Sequence, residues 1–231
     1  MQEKKNTKHF REIINSLPIY NELSDEQFEL IQQTCYDVKF RQGETIFKQG
    51  TAMTHIVVVT EGLVKIYLEG IANRNLILRF AKPVTMVGGP GFSTDFKHHV
   101  TTVAIEDTEA SFIDVNILTE IIKQNRDFAL GILKWANNHT VTNYLKFIEL
   151  TQKGMHGRIA GALIYLKRDV FNEKNENIRI NRQDLADLTA MSKESAIRIL
   201  KELKDEKTIS VEGNNIIIND IDRLNRISMN G

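Results

Sequence analysis

A long stretch without proline divides this chain into two halves with different sequence patterns. Residues 125–150 contain no proline and only one glycine, Gly131, so they can form one helix of about seven turns. Before this stretch, short β-prone runs alternate with seven glycines between Gly43 and Gly91, which predicts a small jelly roll or β-roll. After it, apolar residues recur at helical spacing. The expected fold class is therefore α+β.

The same changes of pattern predict where the domains begin and end. We expect a β-roll domain over residues 1–124, a long helix with its hinge over 125–153, and a C-terminal domain over 154–231. The C-terminal domain contains the polar run NEKNEN, which is typical of a loop. It also contains the run GNN at residues 213–215, which is typical of a tight hairpin between two strands.

Two rows of side chains on the long helix have the spacing of a helix–helix contact. One row is expected to pack against the β-roll of the same chain. The other row is then available to contact a partner chain. We expect a homodimer and assign its interface to the first row. The first row is Phe128, Ile132, Trp135, His139 and Thr142, and the second is Asn137, Val141, Tyr144 and Ile148.

Composition excludes several classes of protein. The single cysteine, Cys35, can form no internal disulfide and cannot hold an iron–sulfur cluster, which fits a reducing cytoplasm. No apolar run approaches the roughly 18–20 residues of a membrane span, and the first eighteen residues lack the apolar segment of a secretion signal. The chain has no nucleophile–base pattern, no glycine-rich phosphate loop and no metal-ligand spacing. We therefore expect a cytoplasmic protein that is not an enzyme and has no metal site or predicted cofactor.

The segment MSKESAIRILKELK, residues 191–204, predicts a helix with two different faces. Ala196, Ile199, Leu200 and Leu203 form an apolar stripe, whereas Ile197 lies among cations on the opposite side. Arginine can pair bidentately with guanine, and an apolar side chain can touch a thymine methyl group, so this face suits the major groove of DNA. The alternative is that Ile197 packs under the following hairpin.

The stretch from Ile180 to Leu224 resembles the C-terminal domain of the Crp/Fnr superfamily of bacterial transcription regulators. Its sequence NRQDLADLTAMSKESAIRILKEL follows the family's helix-turn-helix pattern, with Ala190 where the turn usually has glycine. We take this alanine to mean that the turn need not be left-handed. The resemblance makes Glu194 and Arg198 the main base-reading pair. The full set of implied DNA contacts is Arg182, Ser192, Lys193, Glu194, Ile197, Arg198 and Lys201.

The first half of the chain supports the same resemblance. The segment FRQGETIFKQGTAMTHIVVVTEGLVKIYLEG is similar to the opening of the family's cyclic-nucleotide-binding β-roll. The resemblance implies an N-terminal β-roll, a long dimerisation helix and a C-terminal winged helix-turn-helix domain. It further implies a homodimer that binds double-stranded DNA at an inverted repeat, with RNA polymerase as a possible further partner.

The candidate effector pocket departs from the family pattern. Nucleotide-binding members have a glutamate for the ribose and an arginine for the phosphate, whereas this chain has Gly88-Gly89 and His98-His99 there. Neutral histidine is a poor partner for a buried phosphate, so cyclic AMP is not the expected effector. Two adjacent histidines on a strand also cannot chelate one ion. The β-roll then binds another small molecule or none, unless Arg79 or Lys97 replaces the missing cation and restores a response to cyclic AMP.

A competing class is a sensor or adaptor that keeps the fold without binding DNA. Its main support is charge, because the chain has 30 Lys+Arg against 30 Asp+Glu and residues 155–231 have 13 against 12. DNA binding must therefore depend on the local placement of cations. The presence of both Glu194 and Arg198 favours the DNA-binding regulator.

Overall fold

A computed structural model describes residues 16–171 and 177–231, which form two compact units. The first unit runs to Ile66 and then from Phe80 to Val141, and the second comprises Tyr67–Arg79 and Thr142–Gly231. Residues 1–15, on which the expectation about a secretion signal depends, and most of the predicted NEKNEN loop lie outside the described residues.

The first half of the chain is rich in β-strands, as predicted. In chain order the elements are α1 (Asp25–Thr34), β1 (Tyr36–Phe40), β2 (Thr45–Phe47), β3 (His55–Glu61), β4 (Val64–Leu68), β5 (Leu76–Ala81), β6 (Thr85–Val87), β7 (Thr101–Ala104), β8 (Thr108–Asp114) and α2 (Val115–Gln124). One sheet has the strand order β1-β8-β3-β6 and the other has the order β2-β7-β4-β5. Adjacent strands of the first sheet are antiparallel.

The hydrophobic core of the first unit lies where its helices meet the β1-β8-β3-β6 sheet. Helix α1 begins with a capping box, in which Ser24 accepts from the Gln27 backbone and Gln27 accepts from the Ser24 backbone. Its buried Phe28 and Ile31 join residues of β3, β8 and α2 in one cluster. This packing fixes the β-roll as a unit with its own core.

The second unit contains the helix-turn-helix and a three-stranded sheet with the order β10-β11-β9. Its hairpin has Glu212 opposite Asn215, and Gly213 adopts a positive φ of 57° in the turn, so the predicted tight hairpin is confirmed. Sequence reasoning missed the last helix of the chain. From the long helix onward the elements are α3 (Arg126–Gln152), α4 (Met155–Tyr165), β9 (Asn177–Arg179), α5 (Arg182–Leu188), α6 (Lys193–Asp205), β10 (Ile209–Glu212), β11 (Asn215–Ile218) and α7 (Ile221–Asn230).

The long helix α3 places its two rows on opposite faces, and three residues of the first row pack on the β-roll core. Thr142, the last residue of that row, is exposed. Phe128 is completely buried, with its ring 5.9 Å from that of Tyr20 between centroids. Ile132 and Trp135 are half-buried against the same core. The assignment of Phe128 to a dimer interface is therefore wrong, because its side chain is buried in its own unit. For Ile132 and Trp135, which keep part of their surface exposed, the assignment stays a prediction. His139 lies on the same face and contacts Trp135, with 4.6 Å between ring centroids.

The second row of α3 is exposed instead. Asn137, Val141, Tyr144 and Ile148 all face away from the buried row, and two leucines extend the row toward the start of the helix. The apolar members of this exposed row are each about half exposed or more, which is unusual for residues of this size. They are Leu130, Leu133, Val141, Tyr144 and Ile148.

Candidate nucleic-acid interface

The turn between α5 and α6 is defined by capping and by one unusual backbone conformation. Asn181 caps α5 by accepting from the Asp184 backbone at 2.8 Å, and Ser192 caps α6 by accepting from the Ser195 backbone at 3.1 Å. Between the helices, Ala190 has a positive φ of 51°. The prediction that this turn need not be left-handed is therefore wrong. The closely packed helix pair imposes the conformation, although it is less favourable for alanine than for glycine.

Helix α6 has the two faces that its sequence predicts. Ala196, Ile199, Leu200 and Leu203 are buried, and they fix which side of the helix points outward. Ile197 remains 45% exposed, so the alternative in which it packs under the hairpin is wrong. The predicted contact residues Ser192, Lys193, Glu194, Ile197, Arg198 and Lys201 are all exposed.

Arg182 is the one predicted contact that the structure places elsewhere than on α6. Its guanidinium donates to the backbone carbonyl of Gly213 at 2.6 Å and more weakly to that of Ile180 at 3.5 Å. Partial burial lowers the pKa of Arg182 from its ordinary value. The side chain therefore ties the start of α5 to the hairpin turn, and its contact with DNA stays a prediction.

Two further cations, which sequence reasoning did not select, donate hydrogen bonds to backbone carbonyls at the end of α5 and in the turn between α5 and α6. Lys146 of α3 donates to the Leu188 carbonyl at 2.7 Å, and burial lowers the pKa of its amine. Arg158 of α4 donates to the carbonyls of Thr189 at 3.0 Å and Ala190 at 3.3 Å. The last carbonyls of a helix have no partner within it, so the two cations stabilise the end of α5 and the turn that follows it.

Arg198 has an ionic partner, Glu202, that sequence reasoning did not select. Its guanidinium donates to Glu202 Oε1 at 2.8 Å, and Glu202 Oε2 lies 2.6 Å from His156 Nε2. The hydrogen bonds from His156 and then Arg198 lower the pKa of the Glu202 carboxyl. The spacing of four residues between Arg198 and Glu202 on one helix was the available signal.

The two adjacent histidines of the candidate effector pocket occupy different environments. His98 is only 6% exposed, stacks on Phe47 with 4.0 Å between ring centroids, and its Nδ1 has no hydrogen-bond partner within the described residues. Burial lowers the pKa of His98, which favours its neutral form. His99 is exposed and its Nε2 lies 3.0 Å from Asp95. The two histidines lie in the segment between β6 and β7, so the expectation that they lie on a strand is wrong.

The other residues proposed for this pocket differ in their surroundings. A side chain at Gly88 would approach Ile56, with 3.1 Å to its Cδ1, whereas one at Gly89 would meet nothing within 4 Å. Lys97 is exposed. Arg79 belongs to the second unit, where it lines a cavity of about 370 Å³ together with Tyr165.

Across residues 16–171 and 177–231, no group of three or more His, Cys, Asp or Glu side chains is placed to hold a metal ion. In the same part of the chain, no helix combines the length and apolar character needed to cross a bilayer.

Comparison with known proteins gives matches to both halves of the chain. A cyclic nucleotide-binding domain model matches residues 37–125, and a Crp-like helix-turn-helix domain model matches residues 157–227. The anaerobic regulatory protein of Bacillus subtilis is 26% identical over 201 residues, which cover 85% of this chain and 84% of that protein. The cAMP-activated global transcriptional regulator CRP of Escherichia coli is 23% identical over 204 residues, covering 84% and 95%.

A solved structure gives the same fold. A protein from Eubacterium rectale described as a transcriptional regulator of the Crp/Fnr family superposes with a TM-score of 0.80 at 20% identity, covering 93% of this chain and 99% of that one. Together the matches define a transcription regulator with a helix-turn-helix DNA-binding domain. The chain belongs to the Crp/Fnr superfamily.

Proposed function

We propose that this regulator binds an inverted-repeat DNA site as a homodimer and reads the bases with helix α6. The observation that carries the proposal is the outward face of α6, where Glu194, Ile197 and Arg198 are exposed while the opposite stripe is buried. A charged and apolar mixture on a recognition helix matches the donors, acceptors and methyl groups of the major groove. We propose no enzymatic activity for it, and a bacterial cytoplasm as its location because its target is DNA.

The exposed row of α3 supports the dimer. Five large apolar side chains repeat along one helix face at the spacing of a helix–helix contact, from Leu130 to Ile148. A second copy of the same helix covers such a row in a twofold arrangement, because each position then meets its own counterpart or a neighbour. This row replaces the buried one as our proposed dimer interface.

Selection of bound fragments from random double-stranded DNA tests the proposal directly. We expect the recovered sites to share an inverted repeat whose half-site centres lie about one helical turn, or roughly 10 bp, apart. Such a repeat follows from two α6 helices related by a twofold axis. Recovery of fragments without a common sequence would favour the alternative, an adaptor that keeps the fold without binding DNA. The near-neutral charge of residues 155–231 supports that alternative.

We further propose that cyclic AMP is not the effector. The phosphate of a cyclic nucleotide needs a cation in a buried site, and the chain offers there a histidine whose burial favours the neutral form. Position 89 supplies no carboxylate for the ribose hydroxyl. The activation by cyclic AMP that names the Escherichia coli relative therefore does not carry over, and the effector of this chain is a different small molecule or none.

Calorimetric titration of the purified protein with cyclic AMP and cyclic GMP checks this prediction. We expect no saturable heat of binding at micromolar concentrations, because losing the partner of a buried charge typically costs about 3–5 kcal/mol. The two candidate replacements for the missing cation, Lys97 and Arg79, provide the test variants. Saturable binding that is lost in Lys97→Ala or Arg79→Ala would contradict the prediction and indicate a rebuilt pocket.

RNA polymerase is the further partner that we propose from the family resemblance. A regulator bound beside a promoter acts through contacts with polymerase or by blocking its access. Both routes are compatible with the proposed dimer on an inverted repeat.

A further inference from the structure

The carboxylate of Glu202 binds Arg198 on its own helix, α6, and His156 on the neighbouring helix, α4. One oxygen, Oε1, accepts from the guanidinium of Arg198 one turn earlier on α6, at 2.8 Å. The other oxygen, Oε2, lies 2.6 Å from Nε2 of His156, the second residue of α4. Because an ionised carboxylate can only accept, the imidazole presents its Nε2–H to Glu202. The two oxygens therefore serve two different helices.

We infer that Glu202 is a positioning residue for base reading, which fixes the orientation of Arg198 and is itself held in place by His156. The inference rests on the proposed function, because it assumes that Arg198 reads a base. An arginine on an exposed helix surface samples many rotamers, and a charge-assisted hydrogen bond restricts them. The side chain of Arg198 is 53% exposed, so packing against the protein does little to fix its orientation. The hydrogen bond to Glu202 therefore provides most of the restriction.

The same geometry predicts opposite effects on specific and non-specific binding. A carboxylate on a surface that faces DNA repels phosphates, and it also competes with them for Arg198. Removing the carboxylate leaves Arg198 free to pair with any nearby phosphate. Discrimination between bases should therefore fall while affinity for unrelated DNA is kept or rises. A residue that only docks α4 against α6 would instead lower both affinities together.

The experiment compares the full-length wild type with Glu202→Ala on two duplexes. One duplex is the site selected from random DNA, and the other carries a changed base pair at the position whose preference is lost in Arg198→Ala. We expect the ratio of the two affinities to fall about three- to tenfold in Glu202→Ala, within the range of coupling between contacting residues. In an Arg198→Ala background, Glu202→Ala should leave the ratio unchanged.

Variants at two other positions complete the test. His156→Ala should lower the affinity ratio in the same direction, and His156→Gln, which keeps a side-chain donor, should restore much of it. Glu206→Ala is the matched control, because Glu206 also pairs with an arginine, Arg223, at 2.6 Å and its removal changes the net charge equally. It should leave the ratio at the wild-type value.

The outcomes separate this inference from the proposed function. If the wild type prefers its selected site and Glu202→Ala keeps the full preference, the inference is wrong and the proposed function stands. An equal loss of affinity for both duplexes, with a lowered unfolding temperature, would likewise overturn it by assigning Glu202 a purely structural role. If the wild type shows no sequence preference, both the inference and the proposed function fail.

Discussion

Replacement of Val141 by glutamate is expected to convert the dimer into monomers. Operator affinity should then fall by about a hundredfold or more, because a monomer binds one half-site whereas the dimer binds both half-sites at once. Val141 lies near the middle of the exposed apolar row of α3 and is 55% exposed in the single chain. In a twofold contact the row meets its own copy, so the substitution introduces a carboxylate from each chain into an apolar interface. Burial of unpaired like charges there is strongly unfavourable.

Sedimentation of the purified variant measures the first effect, and titration of the selected operator measures the second. Asn143→Glu provides the matched control, because this exposed residue lies two positions away on the same helix but outside the apolar row. It should remain a dimer with unchanged operator affinity. Unchanged sedimentation of Val141→Glu would show that the exposed row is not the dimer interface.

The two rows of α3 illustrate what spacing can and cannot predict. The sequence shows the repeat of residues along the helix. It also supports the inference that one row packs in the core of the same chain. The choice between the rows depends on the direction in which the β-roll meets the helix. Phe128 lies against Tyr20 because of that tertiary contact, and nothing in the local pattern encodes it. The row with the larger aromatic residues, Phe128 and Trp135, therefore proved to be the internal one.

The helix-turn-helix was predicted more fully, because its signals are local. The buried stripe of α6 follows from the spacing of its apolar residues along the sequence. The backbone of Ala190 could not be predicted in this way. Its positive φ of 51° is imposed by the packing of α5 against α6, while alanine by itself favours the right-handed region.

The residues that support the site were the least predictable part of it. Lys146, Arg158 and His156 reach the turn or the recognition helix from elements that are distant in sequence. A single sequence shows such cations and histidines only as polar positions on helices. Their partners are backbone carbonyls and a carboxylate that become neighbours only when the second unit has folded. The outward face of α6 could thus be predicted, whereas the side chains that reach the turn and α6 from other elements could not.

Arg198→Ala is expected to weaken binding to the selected operator by about 1–3 kcal/mol and to remove the preference for one base pair in each half-site. The guanidinium can donate two parallel hydrogen bonds to a guanine, and no other base presents the same pair of acceptors in the major groove. Arg198→Lys should lose most of the same preference, because a lysine keeps the charge without the planar fork. Binding to a panel of operators with single base changes measures both effects.

Lys201→Ala provides the comparison for a contact that does not read bases. If Lys201 meets a phosphate, the variant should weaken binding to all sequences alike and reduce the slope of log affinity against log salt by about one. Arg198→Ala should alter the base preference with a smaller change in that slope. If the operator panel gave the same base preference for Arg198→Ala as for the wild type, the proposed register of α6 in the major groove would be wrong. The exposed Glu194 and Lys193 at the start of the helix would then be the next residues to test.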